Sequence, residues 1–472
     1  MQPTSHNFKA NVRKSLADTQ LQKTMTETGP RFVEKRAKAR EALPEFDALR
    51  DTARDIKNHV LANLDHYLEH YERQVSASGG HVHWAETGAE AVAAILAICQ
   101  RRGAHVVTKG KSMISEEIEL NEALEAAGME PVETDLGEYI IQLRREPPSH
   151  IIAPAVHLTR EQFVEAFKRV HTHLPPDRDL SEIPDIVEEA RSVLRQKYFA
   201  ADAGITGANF LVAETGTSII VTNEGNGDLT QCLPKVHIVL ASIEKIVPTL
   251  EDAATILRVL ARSATGQEFS NYTTLSTGPR RPGDPDGPEE YHVVILDNGR
   301  SDILGTEFQD MLRCIRCGAC LNHCPVYQAV GGHAYGWVYP GPMGAVLTPS
   351  LIGVDKAGQL PNASTFCGRC EEVCPMRIPL PRMMRNWREK EFENRLTPSS
   401  VRSGLKLWAY FAKRPKLYRL VTGLAARILR NLGGPEGRIS SLPLAGGWTA
   451  ARDLPAAQGR TFHQLWKERR RG

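Results

Sequence analysis

At 472 residues the chain exceeds one ordinary hydrophobic core, so two or three domains are expected. With 41% hydrophobic and 24% charged residues and no biased tract, it is excluded from the fibrous and disordered classes; no run reaches the roughly 18 apolar residues that span a bilayer. The net charge of +2 hides an asymmetry: from Arg382 onward stand 20 Lys and Arg against 6 Asp and Glu, while the residues before hold 38 against 50. A basic tail of this kind suits an acidic partner or an anionic membrane surface.

The first residues carry positive charge but no apolar stretch, so they are not expected to be a signal peptide. Residues 1–75 form a helical segment, with Phe46, Leu49, Ala53, Ile56, Val60 and Leu64 at helical spacing. Gly79-Gly80 breaks that pattern, and residues 76–300 alternate helix and strand. Helices are expected over 86–102, 115–127 (closed by Gly128), up to about Lys197, and over 250–263. Strands are expected at 104–108, 131–135, 150–153, 208–213, 218–222, 235–241 and 291–296. Such alternation indicates βαβ units and a mainly parallel sheet. Gly278–Pro288 is a loop by composition. Residues 301–395 hold the cysteines, and residues 396–472 form a basic C-terminal region with an apolar stripe over Val401–Leu432 that Pro415 should split.

Seven of the nine cysteines fall in two runs, within 314–325 and 364–375. Cys314-x2-Cys317-x2-Cys320-x3-Cys324-Pro325 is the bacterial ferredoxin spacing; Cys367-x2-Cys370-x3-Cys374-Pro375 matches its last three positions, with Ser364 where the first cysteine would stand. In that spacing the cysteine before proline reaches the other cluster. One 4Fe-4S cluster is therefore expected on Cys314, Cys317, Cys320 and Cys374, and a second on Cys324, Cys367 and Cys370. The second is a ligand short. Ser364 oxygen, an open iron, a 3Fe-4S cluster or a partner's cysteine are the alternatives. Paired C-x2-C also builds zinc sites, but zinc takes four ligands and leaves seven thiolates with two Cys-Pro endings unexplained. Metal-ligand clustering, rather than dispersed pairs, points to a reducing, cytoplasmic compartment. Cys99 and Cys232 are expected to be buried core thiols. His323, His333 and Tyr335 stand close enough in sequence to tune a cluster by hydrogen bonds, although surface histidines are the plainer expectation.

Other motifs are weaker. Lys109-Gly-Lys111-Ser112 ends like a Walker A loop but lacks its earlier glycine, and Gly225-Asn-Gly227 lacks the third glycine of a dinucleotide fingerprint. Gly204–Asn209, Ala213–Thr217 and Asn223–Gly225 place hydroxyls and carboxylates at strand ends, where a small anion or cofactor would bind, or where glycine turns merely join buried strands. The basic amphipathic stripe fits either a membrane surface or a protein contact.

Taken with His83-Trp84-Ala85, Lys109–Glu117, Ala213–Thr217 and Leu233–His237, the second cysteine run makes the chain resemble the lactate utilisation protein B family, the iron–sulfur component of a bacterial L-lactate oxidation system. The resemblance runs through most of the chain. It implies an α/β lactate-utilisation domain similar to the CoA-transferase and sugar-phosphate isomerase fold, followed by an α-helical ferredoxin domain with two 4Fe-4S clusters on the seven cysteines. The family pattern also has three cysteines in its second run. It implies as partners a cysteine-rich protein A-like subunit and a smaller protein C-like subunit, but not the direct electron acceptor. A respiratory or quinone-linked acceptor is expected from the electron-transfer role, and peripheral contact at the inner face of the membrane from the basic amphipathic stripe. No nucleic acid is expected, since no DNA-binding motif is present. The function expected is electron transfer as L-lactate becomes pyruvate. Two rivals stand beside it: a lactate-oxidising site in the α/β domain between Glu214 and Asn223, and an iron–sulfur sensor or scaffold.

Overall fold

Four helices open the chain: α1 (Phe8–Ala17), α2 (Thr19–Glu41), α3 (Phe46–Ala62) and α4 (Leu64–Ala77). The computed structural model describes residues 2–442, 446–449 and 452–470, and it divides into two units, Met1–Lys390 and Glu391–Gly472. On α3 the stripe expected from spacing is the packed face, with Phe46, Ala53 and Val60 fully buried.

The α/β block then runs through β1 (His81–Ala85), α5 (Gly88–Arg101), β2 (Val106–Lys109), α6 (Met113–Glu117), α7 (Leu120–Ala126), β3 (Glu130–Glu133), α8 (Leu136–Arg144), α9 (Arg160–Val170), α10 (Ile183–Ala200), β4 (Ala203–Gly207), β5 (Phe210–Val212), β6 (Thr217–Thr222), α11 (Asn226–Cys232), β7 (Val236–Ser242), β8 (Ile246–Val247), α12 (Leu250–Ala264), β9 (Tyr272–Ser276) and β10 (Glu290–Leu296). Six strands make a wholly parallel sheet in the order β1-β10-β7-β4-β2-β3; the other four make a mixed sheet, β8-β5-β6-β9. All seven residues of β7 are buried, as befits a central parallel strand covered on both faces. Helix starts follow local chemistry: Thr87, Asp135 and Thr249 accept first-turn N–H groups at the starts of α5, α8 and α12.

Four expectations change. Residues 150–153 form no strand, because the His150 ring nitrogen Nδ1 accepts the N–H groups of Ile152 (3.0 Å) and Ala153 (3.1 Å), taking the place of ladder bonds. The helix expected over 115–127 breaks into α6 and α7 at Glu119, whose φ is +56°. Strand β4 was hidden by its two glycines, which strand propensity penalises. Gly204 is needed there because a Cβ would stand 1.9 Å from the Thr230 carbonyl oxygen on α11. Cys99 is buried, but Cys232 is exposed, since α11 buries Asn226, Gly227, Thr230 and Gln231 instead.

The cysteine region is short helices and turns: α13 (Ala319–Asn322), α14 (Pro325–Val330), α15 (Gly341–Ile352), α16 (Val354–Ala357), α17 (Arg369–Val373) and α18 (Leu380–Glu393). Beyond it, α19 (Ser399–Ala412) and α20 (Pro415–Leu432) are separate helices; Pro415 opens α20, where its missing N–H has no partner to lose. Arg471 lies outside the described residues.

The buried ring of His237, 2.8 Å from the Thr206 hydroxyl, gives the sheet an acid-sensitive element. Burial holds its pKa down to about 3. With an unfolded value near 6.5, the neutral ring contributes its full stability above that value, and the contribution is lost as pH falls toward 3. Between pH 7 and 5 the chain should lose about 2 kcal/mol through this group. The loss should be absent in His237→Gln, as read by denaturant melts at the two pH values.

Candidate iron–sulfur site

Both cysteine runs fold through the same backbone turns. In the first, Arg316 (φ +59°) and Gly318 (φ +73°) lead into α13; in the second, Phe366 (φ +53°) and Gly368 (φ +80°) lead into α17. Each run ends with its cysteine extended, ψ 117° at Cys324 and 118° at Cys374, before proline. The repeat puts Ser364 at the backbone place of Cys314. Its half-buried hydroxyl accepts the Phe366 N–H at 3.1 Å.

Cys314, Cys317, Cys320 and Cys374 line one cavity with Ile151, Met311, Ile315, Met343, Met376 and Ile378. Burial pushes the Cys317 thiol up to about 12, with the neighbouring Cys374 adding to it and Arg36 opposing; Cys320 is raised further, again by burial first. Cys324, Cys367 and Cys370 are mutual neighbours: burial, then Cys324, lifts Cys370 to about 12. Cys367 differs. It is exposed, and the Arg369 N–H followed by the Thr365 hydroxyl lowers its pKa. Backbone donors already face the sulfurs, Tyr327 N–H to Cys324 Sγ and Ile378 N–H to Cys374 Sγ, both at 3.5 Å.

Such a set suits inorganic clusters. A cubane gives each thiolate its own iron and so spreads four sulfurs around an apolar chamber; among the described residues no three His, Cys, Asp or Glu side chains converge as ligands of a single ion. Tyr335 adds an orphaned donor. Its ring is fully buried, its hydroxyl has no acceptor among the described residues, and burial followed by Cys324, Tyr327 and Cys320 raises its pKa. A cluster sulfur would supply the acceptor that this hydroxyl lacks. The histidines are half-buried rather than on the surface: His323 Nδ1 lies 2.9 Å from the Ala319 carbonyl and His333 Nε2 2.8 Å from that of Pro147.

The helices that open the chain clamp the second run. Arg36 on α2 donates to the Val373 carbonyl at 2.8 Å; Arg50 on α3 donates to the carbonyls of Cys374 (2.7 and 3.1 Å) and Glu372 (2.7 Å) and to Asp47. The α/β block grips the first run through buried ions. Arg300 forks onto Glu117 at 2.7 and 3.0 Å and reaches Glu244 at 3.2 Å, and Arg316 meets Glu244 at 3.2 Å. Burial alone would raise the Glu244 pKa, but Arg300 and then Arg316 overcome it and hold the carboxylate near 2. None of these arginines stood out in sequence, because a lone arginine in a charged helix or loop has the pattern of a solvated face.

The pocket expected around residues 204–225 exists only in part. A cavity of about 620 Å³ is lined by Gly207, Ala208, Asn209, Asn223 and Glu224, together with Lys111, Lys245 and Arg316. Glu214 through Gly216 lie elsewhere, in the β5–β6 turn, and Thr217 opens β6, its hydroxyl pairing with those of Thr215 and Thr277 at 2.7 Å. Of the Walker-like stretch, Lys109 is buried against Glu133 at 2.6 Å, whereas Lys111, the lysine before Ser112, lines this cavity and donates to the Ile152 carbonyl.

Comparison with known proteins agrees with this arrangement. Residues 68–296 match the LUD domain, residues 310–378 the 4Fe-4S dicluster domain, and residues 393–471 the domain described as lactate utilisation protein B, C-terminal. Lactate utilization protein B of Bacillus pumilus is 44% identical over 98% of this chain and 98% of its own. That of Lysinibacillus sphaericus is 42% identical over 100% and 99%. An Escherichia coli protein described as "Uncharacterized electron transport protein YkgF" is 41% identical over 98% and 96%. An α/β LUD domain with a parallel sheet, followed by a 4Fe-4S dicluster domain and this C-terminal region, makes the chain a member of the lactate utilization protein B family.

Proposed function

We propose that this chain is the electron-transfer subunit of an L-lactate-oxidising system, carrying two 4Fe-4S clusters between a partner that receives electrons as lactate becomes pyruvate and a respiratory acceptor. The observation that carries the reading is the meeting of cysteines from both runs, Cys314, Cys317 and Cys320 with Cys374, around one apolar cavity. When bound, the clusters supply one-electron storage at potentials that the surroundings tune within about −700 to +450 mV.

The chain's own residues do the tuning. Apolar walls exclude water, the N–H groups of Tyr327 and Ile378 stabilise sulfur charge, and Arg36 and Arg50 set positive charge behind the second run. Cys324, Cys367 and Cys370 hold the second cluster, with Ser364 beside them as the fourth, oxygen ligand. Because Cys367 is exposed, this cluster faces the partner, an A-like or C-like lactate-utilisation protein. The LUD domain, in its similarity to CoA-transferase and sugar-phosphate isomerase folds, serves as the platform. Among the described residues no helix is long and apolar enough to cross a membrane. Contact with the inner membrane face is assigned to α19 and α20, whose Trp408, Leu420 and Leu424 are exposed among basic side chains.

Chemical analysis and EPR of anaerobically purified chain test this. About eight irons and eight sulfides per chain are expected, with EPR signals that L-lactate induces only when the A-like and C-like proteins are added. Iron near zero, or clusters that stay oxidised in the complete mixture, would overturn it.

A further inference from the structure

The electron-transfer reading leaves the 620 Å³ cavity unused. Chain order across the parallel sheet reverses between β2 and β4: β2 continues outward to β3, whereas β4 leads the other way to β7 and β10. Open α/β sheets bind ligands beyond the carboxyl ends of their strands at such a reversal. The cavity sits there, lined by Lys111 and Ser112 after β2, Asn209 after β4 and Ser242 at the end of β7. Its volume is that of a small-molecule or cofactor site.

Three of its polar groups are unspent. Lys245 lines the cavity and makes no hydrogen bond or ion pair among the described residues. Arg316 gives one nitrogen to Glu244, but its Nη1 is buried without a hydrogen-bond partner among the described residues, and the Asn226 side-chain oxygen is buried in the same state. An ammonium and a guanidinium nitrogen without partners select an anionic oxygen, and an orphaned amide oxygen selects a donor such as a hydroxyl. Ile151 and Ile315 line this cavity and also the cavity of Cys314, Cys317, Cys320 and Cys374, so a single layer of side chains divides the two.

We propose that this cavity binds a small organic anion, its carboxylate or phosphate held by Lys245 and Arg316 and its hydroxyl by Asn226, directly beside the first cluster. A carboxylate would belong to a 2-hydroxy or 2-oxo acid, a phosphate to a cofactor such as a flavin mononucleotide. Negative charge placed next to the cluster disfavours its reduction.

The test uses the full chain with its iron retained and four probes: L-lactate, pyruvate, inorganic phosphate and flavin mononucleotide. At least one should bind by calorimetry, alter the EPR line shape of the first cluster and lower its midpoint potential. Lys245→Met should weaken that binding at least about tenfold, the equivalent of losing one charge-assisted hydrogen bond, while Lys245→Arg retains it. The acid and phosphate arms identify which anion the site takes. The proposal fails if no probe binds, or if Lys245→Met binds as tightly as the unsubstituted chain. The spectroscopic readout rests on the first cluster being present, whereas calorimetry does not, and iron content of the probe-free chain reports on the cluster reading by itself. Should Lys245→Met lose its iron, Asn226→Ala replaces it, with the same loss of binding expected and undiminished binding counting against the site.

Discussion

Cys374→Ala should lose about four irons and one of two cluster EPR signals, although Cys374 lies in the run that supplies only three cysteines. Cys374 stands in the cavity of Cys314, Cys317 and Cys320, where its sulfur already receives the Ile378 N–H. Alanine leaves a chamber with three thiolates and a buried N–H with no acceptor. The carbonyl of the same residue is held twice by Arg50, so the backbone stays in place and the loss is confined to the sulfur. Cys367→Ala, on the exposed side of the other group, should instead remove the second signal. Iron analysis with EPR on the two variants checks the division. Equal loss of both signals in Cys374→Ala would show that the two sites do not assemble separately.

Arg300→Met should destabilise the chain by about 3–5 kcal/mol, the largest effect expected of any substitution outside the cysteines. Arg300, Glu117 and Glu244 are each at least 98% removed from solvent at their side chains. Burial raises the pKa of Glu117, but the Arg300 charge and its forked hydrogen bonds outweigh it, helped by the hydroxyl of Tyr339 at 2.5 Å and the amide of Asn298 at 2.6 Å. Methionine fills the space and leaves two carboxylates without their shared counter-charge. Lysine at the same position supplies one charge without the fork and should recover only part of the loss. Thermal melts of the three chains measure this. Because Glu244 also holds Arg316 between Cys314 and Cys317, the methionine variant should lose iron from the first cluster more readily than the lysine variant.

Much of this was legible along the chain. The apolar stripe of α3, the runs of β7 and β10 and the break at Pro415 depend on residues a few positions apart, and the structure follows them. The cysteine spacing was legible for the same reason: C-x2-C-x2-C turns are shaped by φ angles within the run, and both runs adopt them. Where local pattern misled, a longer-range contact had replaced the local bond. His150 caps its own neighbours and also stands 3.1 Å from Asn322, so residues 150–153 form no strand and Ile151 lines the cysteine cavity instead.

By itself, then, the sequence determined which residues are the candidate ligands, since ligand type and spacing are covalent properties of the chain. Only the tertiary structure decided what surrounds them. Arg36 meets Val373 across 337 residues of sequence, Arg300 meets Glu117 across 183, and Lys245 faces a cavity that shares Ile315 with the first cysteine group. The energy of a buried charge depends on which distant partner reaches it in low dielectric, and no periodicity along the chain records that choice.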